Sequence, residues 1–300
     1  MAVVKKLRGD SQPKKQRAKT VTDEAAEAYS LPTAMVEPVD DLGRALVLIH
    51  GERKIGKTSM AAQAPKCLLM ATEMGYKGLR TIPENIEDWR KAEVVRRALK
   101  KDKTFRTVAV DTVDILYKLC EAQTCRDLGI KDLGDEDYGK GWRENRKRFE
   151  AFLNALAASR KGIILISHST EQEIAKRGGD TYTRITSSMA KQAREICDGL
   201  VDIWGYFCYD GSRRVLVIQG DDHIAAGHRF QERFKTPDGR VLRQIDMGKS
   251  PAEAWKNFTE AFHNRYEPTH DGDIVSDEEE DDDRPRKKKK TVKLKLKKKG

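Results

Sequence analysis

The segment from Gly51 to Thr58 has the residue types and the spacing of a phosphate-binding loop. It reads GERKIGKT and fits the pattern G-x-x-x-x-G-K-[ST] without a mismatch. The apolar run Ala45–Ile49 precedes it, and a predicted short helix, Lys57–Ala64, follows it. In such a frame the glycines let the backbone wrap a phosphate, and the helix N-terminus directs N–H donors at it. The alternative, a Gly/Lys-rich surface turn, rarely lies between a strand and a helix.

The last two residues of the loop have different chemical roles. Lys57 is placed to reach the β- and γ-phosphates of a nucleotide, and the Thr58 hydroxyl is placed to ligate Mg²⁺. Lys54 either adds a phosphate contact or is solvated. We therefore expect ATP and Mg²⁺ as cofactors. The expected nucleotide-binding residues are Gly51, Glu52, Arg53, Lys54, Ile55, Gly56, Lys57, Thr58 and Ser59.

A magnesium site of this kind needs a carboxylate at the end of a neighbouring strand. The run Val108–Val110 leads directly into Asp111, which could hold Mg²⁺ through a water molecule. Asp111 could also cap the helix that follows, and both roles are compatible. Asp114 is interpreted as a first-turn residue that interacts with the helix dipole rather than as a ligand.

Hydrolysis also needs a group that orients or deprotonates the attacking water. Glu73 stands just past the second predicted strand, where a parallel sheet gathers its functional residues, and we expect it to be the base. Ser167 and His168 follow the fourth strand at a similar position. One of them could sense the γ-phosphate, although a residue that merely ends a strand would look the same.

These residues need a sheet that brings strand ends together. Short apolar runs alternate with amphipathic helical patterns, which predicts a mostly parallel sheet with helices on both faces. The predicted strands are Ala45–Ile49, Cys67–Ala71, Phe105–Val110 and Ile163–Ile166, and the predicted helices are Ile86–Leu99, Val113–Leu128 and Trp142–Ser159.

The later part of the sequence has a different pattern. Glu171–Ser188 is polar, basic and contains glycine, which predicts a mobile loop, and Met189–Cys197 predicts a helix. Val201–Tyr209 and Arg214–Gln219 flank Asp210-Gly211 and predict a hairpin. Ser250 to Glu253 has the composition of a capping box with proline at the first helical position, and it predicts a helix to Tyr266 that docks on the core.

The net charge of +10 is concentrated at the two ends of the chain. Residues 1–20 hold seven basic and one acidic residue, residues 276–300 hold eleven basic and seven acidic residues, and the rest is neutral. Neither end has apolar residues at core spacing, so we expect disordered charged tails. We divide the chain into a basic tail (1–33), a core (34–249), a docked helix (250–267) and an acidic/basic tail (268–300).

The C-terminal tail has two interpretations. Its lysine block, 287–290, could bind a polyphosphate backbone through counterion release. It could equally be a solubilising extension in which the neighbouring acidic block shields the lysines.

Composition excludes several classes of protein. The five cysteines lack paired metal-ligand spacing, which favours packing roles in a reducing compartment. No apolar run approaches the ~18 residues of a membrane span, and no signal peptide is visible. We expect a cytoplasmic protein with no membrane partner.

The ordered set of strand ends resembles a RecA-like P-loop ATPase of the AAA-type group found in phage recombination modules and linked to single-strand annealing. The matching segments span about residues 45–209. They are GERKIGKT, ATEMGY, VAVDTVDILYKLC, DYGKGW, ILISHS, TYTRI and VDIWGY. The loop motif alone indicates only the P-loop superfamily. The later segments, in this order, are specific to a narrower group within it.

The resemblance implies a RecA-like P-loop core, an oligomer or filament, and ATP-dependent handling of single-stranded DNA. It implies Lys57 at the phosphates, Asp111 as the Walker B carboxylate, Glu73 as the catalytic carboxylate and His168 in the sensor region. It further implies a DNA-facing segment, Glu171–Arg184. Its possible phosphate contacts are Lys176, Arg177 and Arg184, and the candidates for a basic residue that completes a neighbouring site are Arg229 and Arg233.

Two functions compete on these observations. One is a DNA recombination or single-strand annealing ATPase that hydrolyses ATP and acts on single-stranded DNA. The other is a module with little hydrolysis, in which nucleotide gates assembly with an annealing or single-strand-binding protein. A replicative helicase or its loader is less favoured, since no additional helicase domain is visible.

Overall fold

The computed structural model describes residues 32–176 and 179–275. The described residues from Val39 onward belong to one compact unit. Both charged tails predicted from the sequence lie largely outside the described residues. All residues of the strands Leu46–Gly51, Cys67–Ala71 and Thr107–Asp111 are buried, which agrees with strands that are covered on both faces.

The strands of the described residues are β1 (Leu46–Gly51), β2 (Cys67–Ala71), β3 (Ile82–Asn85), β4 (Thr107–Asp111), β5 (Gly162–Ala175), β6 (Thr181–Ser187), β7 (Ile203–Asp210), β8 (Arg213–Val217), β9 (Gly227–His228) and β10 (Gln244–Asp246). They form one sheet in the order β10-β8-β7-β1-β5-β4-β2-β3, with β6 paired to β5 and β9 paired to β7. The five pairings from β7 across to β3 are parallel, and the remaining pairings are antiparallel.

Helices cover both faces of the sheet, as the sequence predicts. The helices of the described residues are α1 (Lys57–Ala61), α2 (Trp89–Lys101), α3 (Val113–Leu128), α4 (Lys140–Ala157), α5 (Lys191–Leu200) and α6 (Pro251–Phe262). Helices α2 to α5 pack into one apolar cluster with β1, β4 and β5, whereas α1 and α6 pack into a second cluster on the opposite face. The predicted α/β fold class, a mostly parallel sheet with helices on both faces, is confirmed.

Local signals fix several boundaries. Gly129 adopts a left-handed conformation (φ 70°) and ends α3 where the sequence predicts. The Ser250 hydroxyl accepts a hydrogen bond from the Glu253 amide, which starts α6, and Pro251 occupies its first turn. The Glu253 carboxylate accepts the Lys249 amide rather than that of Ser250, and α6 ends at Phe262 rather than at Tyr266.

One sequence prediction about the sheet is wrong, and one strand was missed. Glu171–Ser188 is a β-hairpin rather than a loop: β5 continues seven residues past His168 and pairs antiparallel with β6 from Ser169↔Ser187 to Ala175↔Thr181. The polar composition hides a hairpin with few buried positions. The strand β3 was missed because its four residues, with a proline, pair only at the sheet edge and are mostly exposed.

The parallel register brings the functional strand ends to one edge. Gly51 at the end of β1 lies opposite His168 of β5, and Asp111 at the end of β4 lies opposite Ile166. Ala71, two residues before Glu73, lies opposite Asp111. Gly51, Asp111, His168 and Glu73 therefore share one edge although they are distant in sequence.

None of the helices in the described ranges combines the length and the apolar character that a membrane crossing requires. All five cysteines are free, and within these ranges no three or more His, Cys, Asp or Glu side chains converge on a potential metal site.

Candidate nucleotide-binding site

The loop between β1 and α1 takes a conformation that depends on its glycines. Gly56 has φ 112° and Lys54 has φ 65°. Gly51 is pressed against β7, where an added Cβ would overlap the carbonyl oxygen of Phe207. Glycine is thus required at Gly51 for close backbone approach and at Gly56 for the left-handed turn.

Lys57 is buried at the start of α1, with 5% of its surface exposed. Its Nζ donates hydrogen bonds to the carbonyl oxygens of Gly51 at 2.8 Å and Glu52 at 2.6 Å. Burial lowers the pKa of Lys57 to about 8, and the charge of Asp111 opposes that shift. The ammonium group is therefore held inside the loop, where a phosphate would meet it.

Thr58 and Asp111 are joined directly. The Thr58 hydroxyl donates a 2.8 Å hydrogen bond to Oδ2 of Asp111. Burial raises the pKa of Asp111, an effect that the Thr58 hydrogen bond opposes. The helix-cap alternative for Asp111 is wrong, because the N-cap position of α3 is Thr112 and the Asp111 carboxylate faces Thr58 instead.

This pair of side chains fits a magnesium ion. A hydroxyl oxygen and a carboxylate oxygen are hard ligands of the kind that Mg²⁺ takes from a protein that leaves most positions to water and phosphate. Both lie beside the Lys57 ammonium, in the cavity that the loop encloses.

That cavity has a volume of about 410 Å³. Glu73 and His168 stand on its wall, with Nε2 of His168 3.8 Å from Oε1 of Glu73. The Glu73 side chain is 42% exposed, so water can reach its carboxylate. The lining residues are Arg53, Lys54, Gly56, Lys57, Thr58, Ser59, Glu73, Gly75, Leu79, Asp111 and His168.

The structure thus brings together most of the residues predicted from the motif. Of the remaining predicted nucleotide-binding residues, Ile55 is buried in the apolar cluster that includes Phe207, and Glu52 is exposed. The Glu52 carbonyl oxygen accepts the second Lys57 hydrogen bond.

Arg214, on β8, supports the loop from outside and was not identified from the sequence. Its Nη1 lies 3.4 Å from the Ile55 carbonyl oxygen, and its Nη2 donates to the Gly248 carbonyl oxygen at 2.7 Å. Only the pairing of β8 with β7, next to β1, brings this residue to the loop. No local sequence signal could have indicated it.

Asp114 also has a role beyond the helix-dipole position assigned from the sequence. Its Oδ1 accepts hydrogen bonds from the hydroxyls of Ser188 at 2.6 Å and Ser167 at 3.1 Å. Ser167 in turn lies 2.7 Å from the Ser187 hydroxyl. Asp114 therefore ties the first turn of α3 to both strands at the base of the β5–β6 hairpin.

His50, the residue before Gly51, makes the corresponding link from β1. It is fully buried, and its Nε2 lies 2.8 Å from the Ala225 carbonyl oxygen while Nδ1 lies 2.9 Å from the Ser169 hydroxyl. Because a carbonyl only accepts, Nε2 carries the proton and Nδ1 accepts from Ser169. Burial lowers the pKa of His50 to about 4, so this imidazole is neutral at physiological pH.

The predicted DNA contacts lie along the hairpin. Lys176, past the paired part of β5, is 5.0 Å from the Tyr182 ring centroid and 3.5 Å from Asp222. Arg184 lies on β6 opposite Gln172. Arg177 lies outside the described residues.

The two candidates for a residue acting on a neighbouring subunit stand away from the cavity. Arg229 donates to the Gly199 carbonyl oxygen at 2.7 Å, at the end of α5. The Arg233 guanidinium lies 5.0 Å from the Phe262 ring centroid. Neither lines the cavity of its own chain, and their proposed role in a neighbouring site stays a prediction.

Comparison with known proteins agrees with this arrangement. The family model described as AAA domain matches residues 44–230, which include the loop, both carboxylates and the hairpin. The chain belongs to the AAA domain family. Such a P-loop domain implies nucleotide binding.

Two solved structures similar to this AAA domain are a RadB recombinase and a KaiC-like protein from the hyperthermophilic archaeon Pyrococcus horikoshii. The first is 16% identical, with a TM-score of 0.39 over 71% of this chain and 89% of that one. The second is 11% identical, with a TM-score of 0.36 over 70% of this chain and 88% of that one. No curated protein matches this sequence significantly.

Proposed function

We propose that this AAA domain is a Mg²⁺-dependent ATPase that converts ATP and water to ADP and phosphate. The observation that carries the proposal is the convergence of Lys57, Thr58, Asp111 and Glu73 on one cavity. These four residues supply a cation for phosphate, two oxygen ligands and a carboxylate that water can reach, which together are the parts needed for phosphoryl transfer to water.

Each residue has a distinct part in the reaction. Lys57 exchanges its hydrogen bonds to the loop carbonyls for the β- and γ-phosphate oxygens of ATP. Thr58 and Asp111 would hold Mg²⁺, which would neutralise the charge on the phosphate oxygens. Glu73 orients and deprotonates the attacking water, and His168, 3.8 Å from it, responds to the γ-phosphate.

We further propose that the substrate of the coupled action is single-stranded DNA, in recombination or annealing. Two features support it: β5 runs without interruption from His168 at the cavity into the hairpin, and the hairpin carries Lys176 and Arg184. Its base is tied to the nucleotide site by His50 and Asp114. A bound nucleotide can therefore bias the hairpin through these contacts.

The proposed assembly is a homo-oligomer, a ring or filament, in which Arg229 or Arg233 reaches the ATP of a neighbouring subunit. A single-strand-binding or annealing protein is the proposed further partner. The resemblance of the sequence to RecA-like ATPases of phage recombination modules supports both statements.

An ATPase assay on the full chain tests the proposal. Turnover should require Mg²⁺, disappear in Lys57→Ala and rise with added single-stranded DNA, more so at low salt than at high salt. Absence of turnover under all conditions would refute the enzyme and leave a nucleotide-gated module. Turnover that stays constant across the DNA titration would refute the DNA coupling alone.

A further inference from the structure

A second polar groove lies beneath the β5–β6 hairpin. We call it the hairpin groove. It has a volume of about 420 Å³ and is walled by one face of the hairpin, by α5, by the start of β7 and by residues 225–229. The side chains used below are Arg184, Arg194, Asp198, Asp202, Trp204 and Arg229. None of them lines the nucleotide cavity.

Two hydrogen-bond donors of this groove lack an acceptor. Nε of Arg184 and Nε1 of Trp204 are both buried, and in residues 32–176 and 179–275 no protein atom accepts from them. Trp204 is 7% exposed. A buried donor without a partner is costly, so such donors in a groove point to a ligand that supplies acceptor oxygens.

The arginines of the hairpin groove also lack carboxylate partners. Within the described residues, Arg194 donates to the Ser187 carbonyl oxygen and Arg229 to the Gly199 carbonyl oxygen, and no ion pair neutralises either of them or Arg184. The groove therefore holds three guanidinium groups whose positive charges are not neutralised by an ion pair. Guanidinium groups suit phosphate because they present several donors in one plane.

The acidic residues of the groove do not cancel this preference. Glu195 is paired at 2.9 Å with Arg146, which is not a groove residue. Asp202 keeps its negative charge, but its Oδ2 accepts the Leu46 amide and it pairs with none of the three arginines. Asp198 is exposed. The groove thus sets three arginines against the carboxylates of Asp198 and Asp202, and the buried groups of Arg184 and Trp204 that lack a partner are donors.

We propose that the hairpin groove is a second phosphate-binding site, separate from the P-loop. The phosphate enters between Arg184 and Trp204, after a small side-chain shift that exposes their buried donors, and Arg194 and Arg229 complete its charge. The groove is about as large as the nucleotide cavity, so it takes a group of mononucleotide size. The bound phosphate belongs either to the backbone of single-stranded DNA or to a free phosphorylated compound.

The site can be tested in full-length protein carrying Lys57→Ala, which removes phosphate binding at the P-loop. Binding of inorganic pyrophosphate and of an oligo-dT without a terminal phosphate is measured by calorimetry at low salt. Trp204→Phe keeps the ring but removes the donor, and Arg184→Gln removes the guanidinium. Controls are Trp142→Phe and Arg97→Gln, which change the same residue types outside the groove.

We expect each groove variant to weaken binding about tenfold while the controls bind as the parent does. Loss of pyrophosphate binding identifies a site for free phosphorylated compounds, and loss restricted to oligo-dT identifies the DNA backbone. Groove variants that bind both probes like the parent, or a parent that binds neither, would overturn the proposal.

A separate measurement guards against misfolding. Trp204→Phe in the chain with an intact P-loop should bind an ATP analogue normally. Loss of that binding with an altered thermal transition would show a folding defect. Phosphate binding by the Arg184→Gln variant would then decide whether the groove is a binding site. The outcome does not depend on ATP hydrolysis, so a failed ATPase assay and a failed groove remain distinguishable.

Discussion

The Thr58 hydroxyl donates a 2.8 Å hydrogen bond to the Asp111 carboxylate, which joins the first turn of α1 to the end of β4. The two residues come from different strand–helix connections, and β5 lies between their strands. The protein therefore holds both oxygen ligands of the proposed magnesium site in place before any nucleotide binds.

Asp111→Asn should remove most of the Mg²⁺ dependence of ATP binding. The amide keeps the size of the side chain and can still accept from Thr58, but it lacks the negative charge that holds the cation. We expect Mg²⁺ to strengthen ATP binding at least tenfold in the parent and little in the variant, as measured by titration with and without EDTA. Asp222→Asn, on an exposed loop, is the matched control. An unchanged Mg²⁺ effect in Asp111→Asn would contradict this site.

ATP affinity should fall as the pH rises above about 8. Burial lowers the pKa of Lys57 to about 8, so the free protein carries a charged Lys57 below that pH and a neutral one above it. Phosphate binding favours the charged form, and each further pH unit should raise the dissociation constant toward tenfold. Titrations from pH 7 to 9.5 test this, and Lys101→Gln, at the exposed end of α2, should keep the same profile because Lys101 lies outside the cavity. A flat profile in the parent would contradict it.

The sequence predicts much of the nucleotide site because its chemistry is carried by local patterns. Gly51 to Thr58 form a contiguous motif, Asp111 directly ends an apolar run, and α3 matches its predicted bounds at Val113 and Leu128. The parallel sheet then has only to align strand ends, which its alternating pattern already implies.

The parts that sequence did not predict depend on contacts between distant segments. Arg214 supports the loop only because β8 folds back beside β7, and Asp114 reaches Ser188, 74 residues away. Of the paired positions of the β5–β6 hairpin only Thr186 and Ser187 are buried, so burial leaves no period-two pattern in its composition. Pairing geometry rather than local hydrophobicity decides these features.

Glu73→Gln should keep ATP binding and lose turnover. The amide keeps the shape of the side chain but cannot take a proton from water, and loss of a general base typically costs 10²–10⁴-fold. We expect kcat to fall at least ~100-fold with little change in the dissociation constant. Glu144→Gln, on the exposed face of α4, should behave as the parent. Nearly unchanged turnover in Glu73→Gln would favour a different base.

Gly51→Ala should destabilise the fold as well as the loop. The added methyl group would overlap the Phe207 carbonyl oxygen in the centre of the sheet, where the backbone of β7 cannot retreat. We expect the free energy of unfolding to fall by about 1–3 kcal/mol or more, measured by urea denaturation. Gly199→Ala meets no atom and lies within α5, so it should be neutral or slightly stabilising. Equal stability of the two variants would contradict the close approach.

Stability should decrease as the pH falls from about 6.5 to about 4 because His50 is buried in its neutral form. Its folded-state pKa is about 4, against 6.5 for an ordinary histidine, so between these values the unfolded chain binds a proton that the folded chain does not. The contribution is complete above pH 6.5 and is lost as the pH falls toward 4, by about 3 kcal/mol in all. Urea denaturation at several pH values measures it.

The variant His50→Gln separates this effect from the titration of carboxylates. Glutamine can still donate to Ala225 and accept from Ser169 but does not titrate, so stability should depend less on pH between 4 and 6.5. His270→Gln changes an exposed histidine and should leave the parent profile unchanged. If His50→Gln lost as much stability as the parent over this range, the neutral imidazole would not be the source of the effect. The hydrogen bond between His50 and Ser169 would still link β1 to the hairpin, but it would not explain how stability depends on pH.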